Sequence, residues 1–247
     1  MAALPHLPDP TVMAANQAMQ ENAQGRAPRS YLGMSQIGGD CERKLWYSYH
    51  DPLPEFMPAS ALMRIEDGHA CERILADRLR LVPGVVLRTE DADTGEQFEV
   101  SDLDGQFAGH LDGLIIGLVS DPHIWHVWEA KAVNEEKYGS FCKLRREHGE
   151  RGTLQKWDAT YYAQAQAYMG YTQIHRHYIT VCSPGAREWE AVCTEFDPSA
   201  FETIRNRAER IINAHVPVAK VSNDPSWYVC KWCHYKERCH GTACVSN

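Results

Sequence analysis

The sequence predicts a mixed α/β fold, a central mixed sheet flanked by helices, on three observations. Leu62, Ile65, Ala70, Ile74, Leu75 and Leu79 recur at spacings of three and four, the mark of an amphipathic helix over 62–81. Two β-branched and aromatic runs, 107–119 and 124–133, are joined by the turn residues Asp121-Pro122 and read as adjacent strands. The order along the chain is helix, meandering strands, helix, strand, strand, helix, which suits one sheet with helices packed against it.

Taken in order, residues 1–30 are rich in Ala, Pro, Gln and Asn and read as a loosely ordered arm with a short helix over 11–22. Asp40 is placed to cap a helix over 41–49, which would put Cys41 in its first turn, where the positive helix end favours a thiolate. After the 62–81 helix come strands at 85–89 and 97–100, a turn at 101–105 and the two runs already described. A helix is expected over 156–171, with Gln164 and Tyr168 four apart on one face. Strands follow at 174–182 and 189–196, separated by Ser183-Pro184-Gly185. Asp197-Pro198 opens a last helix to about Ala214, with proline in its first turn. Residues 31–215 therefore form the core and 216–247 a cysteine-rich segment.

Composition sets limits on function. The 247 residues, 44% hydrophobic and 23% charged, suit one core with a small appendage. No apolar run is long enough to span a membrane, and residues 1–29 lack the basic-then-apolar pattern of a secretion signal. The net charge of −8 argues against wholesale coating of nucleic acid. Between residues 137 and 156, however, six basic residues stand against two acidic ones, so Arg145 and Arg146 are candidates for phosphate contact. No Gly-x4-Gly-Lys-Ser/Thr loop is present, which excludes ATP hydrolysis through that motif.

The chemistry concentrates in two places. Glu129 and Lys131 alternate with Ala130 and so point to one face of a strand, where Asp112 on the neighbouring strand can meet them. Two carboxylates and an ammonium at one spot suit Mg²⁺ or Mn²⁺ and hydrolysis at a phosphoryl group. The second place is Cys230-x2-Cys233-x5-Cys239, a metal-ligand spacing in a chain whose nine cysteines and missing secretion signal disfavour disulfides. A fourth ligand would come from Cys41, or from Cys244 or His240 within the tail. Cys71, Cys142, Cys182 and Cys193 lack such spacing and read as core residues. Trp227, Tyr228, Trp232 and Tyr235 surround the tail cysteines; shielding of the metal is the expectation, stacking on single-stranded bases the alternative.

These residues resemble the PD-(D/E)XK nuclease superfamily, in particular RecB-like iron–sulfur exonucleases of the kind that serve CRISPR adaptation and occur in phages. The resemblance runs from Tyr31 to His240, with one departure: Leu111 rather than proline precedes Asp112. It implies a restriction-endonuclease-like core whose N- and C-terminal segments join at a 4Fe-4S cluster held by Cys41, Cys230, Cys233 and Cys239. It further implies a Mg²⁺ or Mn²⁺ ion held by His69, Asp112, Glu129 and the Ala130 carbonyl, with His110 as a substitute for His69. Lys131 would assist the attacking water, and Gln164 and Tyr168 would support the substrate strand or the lysine. The implied activity is a DNA exonuclease on single-stranded ends, cytoplasmic in a bacterial, archaeal or phage-infected cell. Its partners would be recombination, replication or CRISPR-adaptation proteins. The competing expectation is a non-catalytic DNA-binding or assembly module whose tail binds zinc.

Overall fold

The run expected as one strand over 107–119 is two strands in two different sheets. In the computed structural model, which describes residues 9–23, 29–53 and 57–241, β4 (Phe107–His110) lies between β1 (Leu32–Gly33) and β3 (Glu99–Asp102). Its continuation β5 (Gly113–Ile116) belongs to a five-stranded sheet with β2 (Val86–Arg88), β6 (His126–Ala132), β7 (Arg176–Cys182) and β8 (Trp189–Glu195), in the order β2-β5-β6-β7-β8. Leu111 and Asp112 form the joint. Leu111 is fully buried, its N–H donates to the Phe98 carbonyl and its own carbonyl accepts from Gln97 Nε2, so it follows the smaller sheet. Gly113 opposite Trp128 then starts the larger one.

The larger sheet is mixed. β6 and β7 run parallel, and the other three pairings are antiparallel. The helices α4 (Glu135–Trp157) and α5 (Ala159–Thr172) supply the long crossover that parallel neighbours require. Each face has its own apolar cluster. Val127, Ile179, Val181 and Val192 pack with α5 (Ala159–Thr172) and α6 (Pro198–Asn213) on one side. Ile115, Trp128 and Cys182 pack with Cys71, Leu75, Ala76 and Leu79 of α3 (Ala59–Arg80) on the other. Burial on both faces accounts for the long apolar runs of β6 and β7.

Helix boundaries follow local chemistry. Asp197 accepts from Ser199 N and Ala200 N ahead of Pro198, as its position before a proline led one to expect. Asp158 does the same for Thr160 and Tyr161, so the helix expected over 156–171 begins only at Ala159. The preceding residues belong to α4 (Glu135–Trp157), which Gly149 interrupts with a φ of 66°. α2 (Glu42–His50) corrects another expectation. Cys41, not Asp40, is the extended residue at its N-cap and makes no side-chain cap bond. α1 (Pro10–Ala23) is present as the sequence suggested, and it packs on α3 without burying any residue of its own.

The tail carries two short helices, α7 (Tyr228–Lys231) and α8 (Lys236–His240), and docks on α2. Tyr235 stacks on Tyr47 with ring centres 5.3 Å apart. Arg43 Nε donates to the Val218 carbonyl at 2.6 Å, Trp46 Nε1 to the Ala214 carbonyl at 2.8 Å, and Arg238 pairs with Asp51.

Candidate active site

The joint between the two sheets sets Asp112 beside β6. Its Oδ2 accepts from the Ala130 N–H at 2.9 Å, so a side chain takes the place of the next rung of the β5–β6 ladder. Glu129 and Lys131 point to the α5 side while Ala130 and Ala132 join the opposite cluster, the alternation read from the sequence. Lys131 Nζ donates to Glu129 Oε1.

Gln164 and Tyr168 are 4% and 1% exposed and lie under the Glu129 carboxylate rather than on an open surface. Gln164 Nε2 donates to Glu129 Oε1 at 2.9 Å and to the Tyr168 hydroxyl at 3.2 Å. That hydroxyl donates to the His110 carbonyl at 2.8 Å. The tyrosine ring lies against bare backbone. A Cβ on Gly109 would stand 2.6 Å from Tyr168 Cε1 and 2.9 Å from its hydroxyl, which explains the glycine.

Glu129 Oε2 is buried and has no partner among the described residues. Burial first, and then the neighbouring Asp112, push the Glu129 carboxyl well above the ordinary range. Burial alone would pull Lys131 down, but Glu129 and Asp112 outweigh it and keep the ammonium charged. An acid that the sequence reading overlooked joins them. Glu72 on α3 is pushed up to about 7 by burial and then by Asp112, with Lys131 and Arg73 pulling the other way. Glu72 stands three, four and seven residues before the buried Leu75, Ala76 and Leu79, so it shares the packed face of its helix. That placement was the available signal.

His69 has a different place. It is 67% exposed, and its Nδ1 lies 4.0 Å from Glu72. His110, the substitute, falls on β4 in the smaller sheet, 3.7 Å from Glu99. The basic residues of α4 are drawn elsewhere. Arg145 pairs with Glu190 at 3.2 Å and donates to the Ala191 carbonyl, while Arg146 lines a depression beside Glu188 and Trp189. Neither is brought to the carboxylates.

Among the described residues, no three His, Cys, Asp or Glu side chains surround one point at metal-holding distance. The donor chemistry nevertheless suits a divalent cation. Glu129 has an unpartnered buried carboxylate oxygen, the Asp112 charge acts on both Glu129 and Glu72, and the Lys131 ammonium is set against all three.

Cys41, Cys230, Cys233 and Cys239, distant in sequence, line one cavity under the tail, with Arg43, Lys44, Lys220, Lys236 and His240 around it. Burial and then the Cys41, Cys239 and Cys233 thiols raise the Cys230 thiol, the effect of crowding four of them together. His240 Nε2 is buried there without a partner among the described residues. Cys244 lies outside the described residues. Cys71 and Cys182 are core residues as expected; Cys142 and Cys193 are half-buried against the two clusters.

The fold is a mixed α/β core in which helices flank the sheet. It is similar to that of an alkaline exonuclease, LHK-Exo from Laribacter hongkongensis, with a TM-score of 0.51 at 12% identity over 79% of this chain and 90% of that one. Two further likenesses are weaker in score: SSO0001, at 0.47 and 16% identity over 91% and 93%, and a phage related exonuclease from Haemophilus somnus 129PT, at 0.48 and 13% over 69% and 77%. No protein-family profile and no curated protein matches the chain by sequence. At 12% identity the LHK-Exo likeness speaks for the fold alone.

Proposed function

We propose that the chain is a Mg²⁺- or Mn²⁺-dependent deoxyribonuclease of the PD-(D/E)XK type, an exonuclease acting on single-stranded DNA ends. The observation that carries this reading is the convergence of Asp112, Glu129 with its unpartnered oxygen, and Lys131 at the joint between the sheets. The alkaline exonuclease fold supports it. Asp112 and Glu129 would hold the cation, with Glu72, on which the Asp112 charge acts, or the neighbouring His69 as a third donor. A bound divalent ion supplies Lewis acidity toward a water and a phosphoryl oxygen. Lys131 keeps its proton, and with it the means to orient a water and offset charge on the phosphate. Gln164 and Tyr168 act through Glu129 by fixing its orientation.

For the cysteine cavity we propose a 4Fe-4S cluster. Four thiols line it, and the surrounding lysines and arginine suit an anionic cluster. Its role would be structural, clipping the tail to α2 across the length of the core. The cellular setting we assign is cytoplasmic, in recombination, repair, replication or CRISPR adaptation; no described helix is long and apolar enough to cross a membrane.

Purified protein with Mn²⁺ should degrade end-labelled single strands and spare circular ones, and Lys131→Ala or Glu129→Ala should abolish this. Undiminished cleavage in both variants would overturn the assignment. One observation favours a second reading, the non-catalytic module with a zinc-binding tail: the unpartnered His240 Nε2 could complete a tetrahedral site with three thiols. Brown protein containing iron and labile sulfide, bleached by Cys41→Ala, supports the cluster. Colourless protein containing zinc that survives Cys41→Ala supports the alternative.

A further inference from the structure

The tail sorts its aromatic residues into two sets. Tyr235 turns inward with the thiols and is 7% exposed. Trp227, Tyr228 and Trp232 turn outward, at 46%, 67% and 83% exposed. Shielding of the cavity, the expectation from sequence, therefore describes Tyr235 and not these three. An indole left in water on a segment that buries its neighbours is the informative case among exposed apolar groups.

Two of the outward rings are in contact and the third carries a lysine. Trp227 and Tyr228 have ring centres 5.2 Å apart, tilted by 52°. Lys231 holds its ammonium 5.0 Å over the Trp232 ring. Over residues 216–241 four basic residues stand against two acidic ones, in a chain of net charge −8. Arg238 is tied to Asp51 and Lys220 and Lys236 border the thiol cavity, whereas Lys231 makes no ion pair among the described residues.

We propose that this outer face of the tail is a stacking platform for single-stranded nucleic acid: Trp232, Tyr228 and Trp227 take up bases, and Lys231 meets the phosphate backbone. Exposed rings offer π-faces that any base can use, and the adjacent Lys231 can meet the backbone charge, the combination by which strands are held without sequence preference. Among the described residues of 216–241, Val216 and Val221 are the exposed large aliphatic side chains, so this face offers rings and an ammonium group rather than an extended apolar patch. A membrane surface would ask for a longer amphipathic helix than the four residues of α7. The inference rests on a nucleic-acid substrate and extends it to a second contact remote in sequence from Asp112, Glu129 and Lys131.

Fluorescence anisotropy of a labelled oligothymidylate, with the full chain and no added divalent metal, tests it apart from cleavage. Trp232→Ala and Tyr228→Ala should each weaken binding by at least about 5-fold, and Trp232→Phe should restore most of the loss. Lys231→Ala should reduce the salt dependence of binding, while the aromatic losses persist at high salt. Wild-type affinity in both alanine variants would overturn the platform and leave the nuclease reading standing, because Mn²⁺-dependent cleavage and its loss in Lys131→Ala are measured separately. The platform also falls if the wild type binds no oligonucleotide, or if Trp232→Ala impairs binding only to phosphatidylserine vesicles.

Discussion

Asp112 accepts a hydrogen bond from the Ala130 N–H at 2.9 Å across the joint where one sheet gives way to the next. The same carboxylate thus ends a ladder and stands beside Glu129 and Glu72 as a source of negative charge. Structure and chemistry can be separated here. Asp112→Asn keeps an oxygen for the Ala130 N–H and loses the charge. Melting should stay near wild type while metal-dependent cleavage falls by roughly 100-fold or more. Asp112→Ala loses both and should also cost about 1–3 kcal/mol of stability. Equal melting temperatures for the two variants would show that the bond to Ala130 does not hold the joint.

Tyr168 and Gln164 are expected to act through geometry alone. Tyr168→Phe removes the donor to the His110 carbonyl and one partner of Gln164 Nε2, at a cost of about 1 kcal/mol. Glu129 then loses its fixed orientation, and kcat should drop between about 10- and 100-fold with KM little changed. Gly109→Ala, whose Cβ would press on the tyrosine ring, should reproduce the loss and destabilise the protein further. A rise in KM with unchanged kcat would instead make Tyr168 a substrate contact.

The parts of this arrangement that were legible in sequence are those that local pattern controls. Alternation put Glu129 and Lys131 on one face, and Asp197-Pro198 marked the start of α6. The break at Leu111 has one local sign, the turn pair Asp112-Gly113 inside 107–119, but its cause is not local: β1 and β3 pair with β4 from outside that window. The long-range ion pairs of the α4 basic run were not legible for the same reason. Its partners Glu190 and Glu195 arrive on β8, about forty residues later. Glu72 escaped notice because the pattern was read for apolar residues, and an acid among Leu75, Ala76 and Leu79 counts as a gap in that pattern. The outward turn of Trp232 depends on which rings find room against α2, and only Tyr235 meets Tyr47.

The carboxylate cluster carries a pH signature. Glu72 is raised to about 7 and Glu129 is raised as well, so both are partly protonated below neutrality and accept a cation poorly there. Cleavage should therefore climb as pH passes through about 7, and Glu72→Gln should remove part of that limb. The linkage has a matching sign. A carboxyl raised above its unfolded value favours the fold when protonated, and that contribution fades as pH rises from about 4.3 through the folded pKa. The metal-free protein should lose stability over this range, and the rise in melting temperature caused by Mn²⁺ should grow across it. A Mn²⁺ effect independent of pH would separate the cation from these carboxylates.

His177 on β7 should act in the opposite sense. It is 1% exposed, neither ring nitrogen has a partner among the described residues, and burial, then Lys131 and His126, pull it down to about 3. The folded protein keeps this imidazole neutral while the unfolded chain protonates near its ordinary value of about 6.5. The unfolded state therefore binds more protons, and stability is lost as pH falls from about 6.5 toward 3. Between pH 7 and pH 5 the loss from this one group is about 2 kcal/mol. His177→Leu removes a buried polar ring and its titration together, so the variant should equal or exceed the wild type at pH 7 and hold more of its stability at pH 5. Urea midpoints at the two pH values measure both effects. Glu72 and Glu129, which titrate with the contrary sign, are common to the two proteins and cancel in the difference. Equal losses in wild type and variant would mean that His177 is protonated in the fold.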